Sequence, residues 1–221
     1  MRPWMRSARN APATIVLAAV LVAVYFGFQG GGLSPGPPRG VEFRCTAVEY
    51  GLIPYEVTHP GAQLGDPFCQ EQPEAPAWLT LVSSMFMSGG LLALAASLMF
   101  LGLCGPPVER RLGAARFVAM FLFGGLVTSA ALIAVVPDLP IVTIGSAGAV
   151  TGVIGAHLVF VPDARLALLG GWAITQAALW SLDAAQPVAG SGGDVVYLVP
   201  AVALLLAVAP LIRAWPRPRR A

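Results

Sequence analysis

The chain has 221 residues, of which 57% are hydrophobic and only 11% are charged, and its formal net charge is +2. This composition excludes an ordinary soluble domain, in which about a quarter of the residues are charged, and it predicts an integral membrane protein. All 13 basic residues are arginine, so a Walker-type phosphate loop and a serine–lysine catalytic dyad, which both need lysine, are also excluded.

Six apolar runs predict six membrane-spanning helices. The first run begins near residue 13, after three arginines. We interpret it as a retained span; the alternative is a cleaved signal sequence. The other runs lie at about 80–104, 117–136, 141–161, 166–182 and 195–212. Only the segment 137–140, which contains two prolines, separates the third run from the fourth, and proline interrupts a continuous helix.

The distribution of charge predicts the orientation of these spans. With a cytoplasmic N-terminus, eleven of the 13 basic residues fall in cytoplasmic segments, and nine of the 11 acidic residues fall outside. This distribution follows the positive-inside rule, so both termini are predicted to be cytoplasmic. The chain then divides into an N-terminal tail with the first helix, an extracytoplasmic loop, a five-helix core and a basic tail, at 1–28, 29–77, 78–212 and 213–221.

The predicted outer loop contains two of the three cysteines, Cys45 and Cys69. An oxidising compartment would permit a disulfide between them. Such a bridge would close a loop of about 25 residues and stabilise the fold by about 3 kcal/mol. Two separate thiols are the alternative. We expect no metal site here, because the only histidine of this loop is His59, and we expect no cofactor.

Ionisable residues are absent from the middle of every predicted span. Ion-coupled carriers and pumps place such groups there, so the sequence fits those classes poorly. The basic tail is interpreted as an anchor at an anionic lipid surface, and we expect no nucleic-acid partner. Richness in alanine, glycine, proline and arginine suggests a GC-rich bacterial genome, so we expect a multi-pass protein of a bacterial plasma membrane.

Two motifs occur on the predicted second and fourth spans. Residues 85–117 read MFMSGGLLALAASLMFLGLCGPPVERRLGAARF, and residues 145–156 read GSAGAVTGVIGA. In content and order these motifs resemble the rhomboid family of intramembrane serine proteases, over roughly 77–209. The resemblance implies an all-α, six-transmembrane-helix rhomboid-like bundle whose partners are the transmembrane segments of other membrane proteins.

The departures from the family pattern fall on the positions of its chemistry. The serine nucleophile of the family corresponds to Ala147, and the histidine base on the sixth span corresponds to Val199. The oxyanion positions correspond to Ala93 and Ser97, and an earlier histidine position corresponds to Ser88. The chain is therefore interpreted as a pseudoprotease, which binds transmembrane helices of partner proteins without cleaving them.

Ser146 offers the alternative, an active intramembrane serine endopeptidase with a rearranged site. A serine nucleophile needs a base within about 3 Å, directly or through one water, and the chain has only two histidines. His157 lies about 16 Å along the same predicted helix, and His59 lies in the outer loop. In the competing interpretation Ser146 is the N-cap of the fourth span, and Gly148 and Gly152 form a small face for helix packing.

Overall fold

The computed structural model describes residues 11–33, 40–62, 64, 69, 75–160 and 165–184. These residues are helical apart from connections and one isolated antiparallel bridge between Leu52 and Thr143. The predicted sixth span, the basic tail and Val199 lie outside the described residues. In chain order the α-helices are α1 (Pro12–Ala23), α2 (Val41–Tyr50), α3 (Pro54–Thr58), α4 (Ala77–Ser83), α5 (Leu91–Leu112), α6 (Ala114–Val135), α7 (Ala147–Phe160) and α8 (Arg165–Ala184).

Two of the described helices, α5 and α6, are long and apolar enough to cross a membrane. Shorter apolar helices are α7 and the continuous segment Pro12–Phe28, in which α1 continues as a π-helical turn over Val24–Phe28. Gly113, with a φ of 82°, connects α5 to α6. This positive φ is one that glycine adopts readily and most other residues do not, so the two long helices can follow each other directly.

Two predicted spans begin earlier than the corresponding helices. The second was predicted from about residue 80, but α4 ends in a 3-10 turn at Ser84–Phe86, and α5 begins only at Leu91. The fourth was predicted from 141, but α7 begins at Ala147. Hydropathy does not distinguish α7 from the non-helical residues 141–146 that precede it. In this segment the backbone of Thr143 is hydrogen-bonded to Leu52.

The helices α6 and α7 approach each other at two glycines. A Cβ atom placed on Gly152 would lie 2.8 Å from the Cα of Gly124, and one placed on Gly148 would lie 2.8 Å from the Cβ of Thr128. Neither position has room for a side chain, so the backbones can pack at close range, as small residues allow in membrane bundles. The predicted small-residue face of Gly148 and Gly152 is therefore confirmed.

The N-terminus of α1 is held by a carboxylate from α5. Glu109 accepts hydrogen bonds from the backbone N–H groups of Ala13 and Thr14, both at 2.8 Å, and from Thr14 Oγ1 at 2.7 Å. Glu109 is only 3% exposed. The first N–H groups of a helix have no partner within that helix, and a negative charge is favourable at this end. Glu109 thus joins α1 to the bundle, a role that the sequence analysis did not identify.

The predicted outer loop contains the short helices α2 and α3. A disulfide bond joins Cys45 of α2 to Cys69, with their Cα atoms 5.5 Å apart. These are the two cysteines that the sequence analysis paired. The bond closes a loop that contains α3 and the bridge residue Leu52.

Candidate functional site

The candidate site lies where α7 begins, and we call this end of the bundle the site end. Ser146 immediately precedes α7, and its carbonyl accepts the N–H of Val150 at 3.0 Å, as expected for the N-cap position. Its hydroxyl is directed toward α5, where it donates to Ser97 Oγ at 2.8 Å. Ser146 and Ser97 are 2% and 3% exposed. The structure thus brings together the alternative nucleophile and one of the predicted oxyanion positions.

A turn before α5, at residues 84–90, fixes the backbone of Ser146. The N–H of Gly145 donates to the carbonyl of Ser84 at 3.1 Å, and the N–H of Ser146 donates to the carbonyl of Met87 at 3.0 Å. Because these two bonds are made by main-chain atoms, the position of Ser146 depends on the shape of the turn rather than on particular side chains.

The same turn is held from the other side by Gln29, which follows the first apolar helix. Its Oε1 accepts the N–H of Ser88 at 3.0 Å, and its Nε2 donates to the carbonyl of Ser88 at 3.2 Å. Gln29 is fully buried. A series of contacts therefore links Gln29 through Ser88 and Met87 to Ser146. Sequence reasoning missed this residue, and the only available signal was an amide between an apolar span and a glycine run.

Two of the other predicted site positions are occupied by alanine, which has no reactive side-chain group. Ala147 is half-buried in the first turn of α7, and Ala93 is half-buried on α5. Their methyl groups can neither attack a carbonyl nor stabilise an oxyanion. Ser88 is buried, and its hydroxyl has no hydrogen-bond partner among the described residues. Val199, at the base position, is not among the residues that the structure describes.

Both histidines make contacts away from Ser146. His157 Nδ1 lies 3.4 Å from the carbonyl of Cys104, toward the far end of α7. His59 stacks on Tyr55 with ring centroids 4.2 Å apart, and its Nε2 lies 3.9 Å from Asp138 Oδ1. In the described part of the chain, no group of three or more His, Cys, Asp or Glu residues could hold a metal ion. The described site therefore offers two hydroxyls and no general base.

Comparison with known protein families identifies a match over the central and C-terminal parts of the chain. The model of the Rhomboid domain matches residues 75–209, which is more than half of the chain and contains α4 to α8. Comparison with curated proteins gives no match, and neither does comparison with solved structures. Rhomboid proteins are embedded in membranes, which agrees with the long apolar helices α5 and α6. The chain belongs to the rhomboid family.

Proposed function

We propose that this protein is a rhomboid pseudoprotease that binds transmembrane helices of partner proteins without cleaving them. The observation that carries the proposal is the hydrogen bond from Ser146 to Ser97, next to an alanine at the nucleophile position. The one hydroxyl at the start of α7 is thereby bonded to a second hydroxyl and not to a base.

The reactivity of the Ser146 hydroxyl depends on its hydrogen-bond partner, Ser97. A neutral serine accepts a hydrogen bond but does not remove a proton near neutral pH, so Ser97 cannot activate Ser146 as a nucleophile. His157 bonds at the other end of α7, and His59 contacts Asp138. At the base position, Val199 has a hydrocarbon side chain, which cannot accept a proton.

The same changes leave a surface that suits a helix. Ala93 and Ala147, both half-buried, place methyl groups where the family pattern has polar side chains. Small residues allow close helix approach in a membrane. Rhomboid proteins act on transmembrane substrates, so a transmembrane segment is the natural ligand class for this surface.

Charge, hydropathy and composition support the cellular setting that we propose. We place the protein in a bacterial plasma membrane with six spans and both termini in the cytoplasm, divided at the boundaries derived from the sequence. With a cytoplasmic N-terminus, 11 of the 13 basic residues fall in cytoplasmic segments, and this agreement with the positive-inside rule supports the proposal.

Site-specific photo-cross-linking tests the proposal. A photoreactive amino acid replaces Ala93 or Ala147 in one set of variants and Ile174 in the control, because Ile174 is 71% exposed on α8. After irradiation of native membranes, we expect the two site variants to capture transmembrane proteins at full length. Capture no stronger than that of the Ile174 control would contradict helix binding.

An active endopeptidase using Ser146 is the second candidate, favoured only by the burial of that hydroxyl at the start of α7. In the cross-linking experiment it would give partners truncated near the membrane. Truncation that disappears in a Ser146→Ala background would replace the pseudoprotease interpretation with this one.

A further inference from the structure

The outer loop makes a continuous set of contacts with the segment that leads into the site. We call residues 50–59 the strap and residues 137–146 the connector, which joins α6 to α7. The central contact is the antiparallel bridge between Leu52 and Thr143. The N–H of Leu52 donates to the carbonyl of Thr143 at 2.9 Å, and the N–H of Thr143 donates to the carbonyl of Leu52 at 2.7 Å. Thr143 is only three residues before Ser146, so the strap reaches the edge of the candidate site.

Further contacts follow in antiparallel order along the two segments. The N–H of Tyr55 donates to the carbonyl of Leu139 at 3.2 Å, and Thr58 Oγ1 donates to the carbonyl of Pro137 at 2.8 Å. At the end of the strap, His59 lies beside Asp138. The strap therefore runs antiparallel to the connector and contacts it from Thr143 to Pro137.

The beginning of the strap is fixed by steric fit. A Cβ atom on Gly51 would lie 2.5 Å from Val142 Cγ1 and 2.9 Å from Ile144 Cγ2. Leu52 and Ile53 are 1% and 2% exposed. Ser83 Oγ also donates to the carbonyl of Tyr50 at 2.6 Å. These contacts hold the strap against the connector and against the end of α4.

The connector is held between two partners. The strap bonds it at Thr143 on one side, and the turn at 84–90 bonds it at Gly145 and Ser146 on the other. The connector is not helical, so its backbone groups depend on these outside partners. The disulfide between Cys45 and Cys69 closes the loop that contains the whole strap, which limits how far the strap can move away.

We infer that the strap holds the connector in the position that keeps Ser146 buried, so that the outer loop controls access to the site. As regulation of the site described above, this inference rests on the proposed function for its biological use. The physical claim concerns only opening of the connector, and it can be measured without any partner. Failure to capture a helix and failure of the strap to control access are therefore separate results.

Thiol labelling in detergent measures this opening. Ser146→Cys, in a Cys104→Ala background, places a thiol at a position that is 2% exposed, so reaction with a maleimide reports opening of the connector. Leu52→Pro removes both the N–H bonded to Thr143 and the side chain, and the matched control Leu52→Ala removes the side chain alone. We expect the thiol to react roughly fivefold faster with Leu52→Pro than with Leu52→Ala, as for loss of one net hydrogen bond.

Loosening of the whole bundle is detected with Cys104, the free, buried cysteine of α5. In chains that retain Ser146, its labelling rate is expected to be the same for Leu52→Pro and Leu52→Ala. Equal rates at the Ser146→Cys thiol would overturn the inference, and so would a parallel rise at Cys104.

A second variant covers the case in which Leu52→Pro does not fold. The double substitution Cys45→Ser and Cys69→Ser opens the loop outside the helical bundle and leaves the bridge residues unchanged. The Ser146→Cys thiol is again expected to react faster than in the disulfide-bonded chain, with no change at Cys104. An unchanged rate would also contradict the inference.

Discussion

The two ends of the bundle differ in what their polar residues do. At the site end, hydroxyls and main-chain groups meet around Ser146, and the nucleophile position is Ala147. At the opposite end, Glu109 is buried and accepts three hydrogen bonds from Ala13 and Thr14. The site end has an alanine at the position that we assign to the nucleophile, whereas the opposite end has a buried carboxylate that joins two helices.

The residues that stabilise the fold, such as Glu109, are therefore different from the residues at the positions of the family's chemistry. Val108, Glu109 and Leu112 are buried at the C-terminal end of α5, and none of them corresponds to a position of the family's chemistry. The catalytic positions can therefore change without removing the contacts that hold α1, α5 and α6 together. The following predictions test this separation, from the largest expected effect to the smallest.

Glu109→Ala is expected to reduce the free energy of unfolding by about 3 kcal/mol or more, because it removes the acceptor of several hydrogen bonds in a buried place. Reversible unfolding in mixed detergent micelles measures the loss. The control is Leu103→Ala on the same helix, where the side chain is 58% exposed. Equal losses in the two variants would contradict the role given to Glu109.

Gln29→Leu is expected to cost about 2 kcal/mol in the same assay, because the N–H and carbonyl of Ser88 lose their partners in a buried place. Gln29→Glu retains an acceptor for the N–H but places a carboxylate oxygen against the carbonyl of Ser88 in a fully buried position. Because a buried, unpaired charge is costly, we expect this variant to cost at least as much as Gln29→Leu. If both variants unfold like the unsubstituted chain, the amide does not hold the turn.

Gly152→Ala is expected to cost about 1 to 3 kcal/mol, because the new methyl group would overlap the backbone of Gly124 and push α6 and α7 apart. Gly102→Ala introduces the same methyl group on α5, where no atom lies within 4 Å of it, and should cause no loss. The difference between the two unfolding free energies checks the predicted packing face, and a difference of zero would disprove it.

Ser146→Ala is expected to have the smallest effect, about 1 kcal/mol or less, because it removes one hydrogen bond between neutral groups. Thermal unfolding of the purified protein checks this value. A loss as large as that of Glu109→Ala would mean that the site end also holds the fold together, against the separation described above.

The sequence predicted the helical class and the packing face of α7, and the assignment of the catalytic positions stays a prediction. The sequence did not predict the break at 84–90 or the start of α7 at Ala147, because residues 141–146 are as apolar as the helix that follows. The roles of Gln29 and Glu109 were also missed. Both depend on partners distant in the chain, Ser88 and Thr14, and hydropathy does not show which polar groups will meet.

Labelling with a fluorophosphonate probe tests the central claim most directly. The probe reacts with serines that a base has activated, and an active rhomboid protease run in parallel shows that it works under the conditions used. We predict that the purified protein is labelled no more than its Ser146→Ala variant. Labelling of the unsubstituted protein that disappears in Ser146→Ala would contradict the pseudoprotease account and identify Ser146 as a nucleophile.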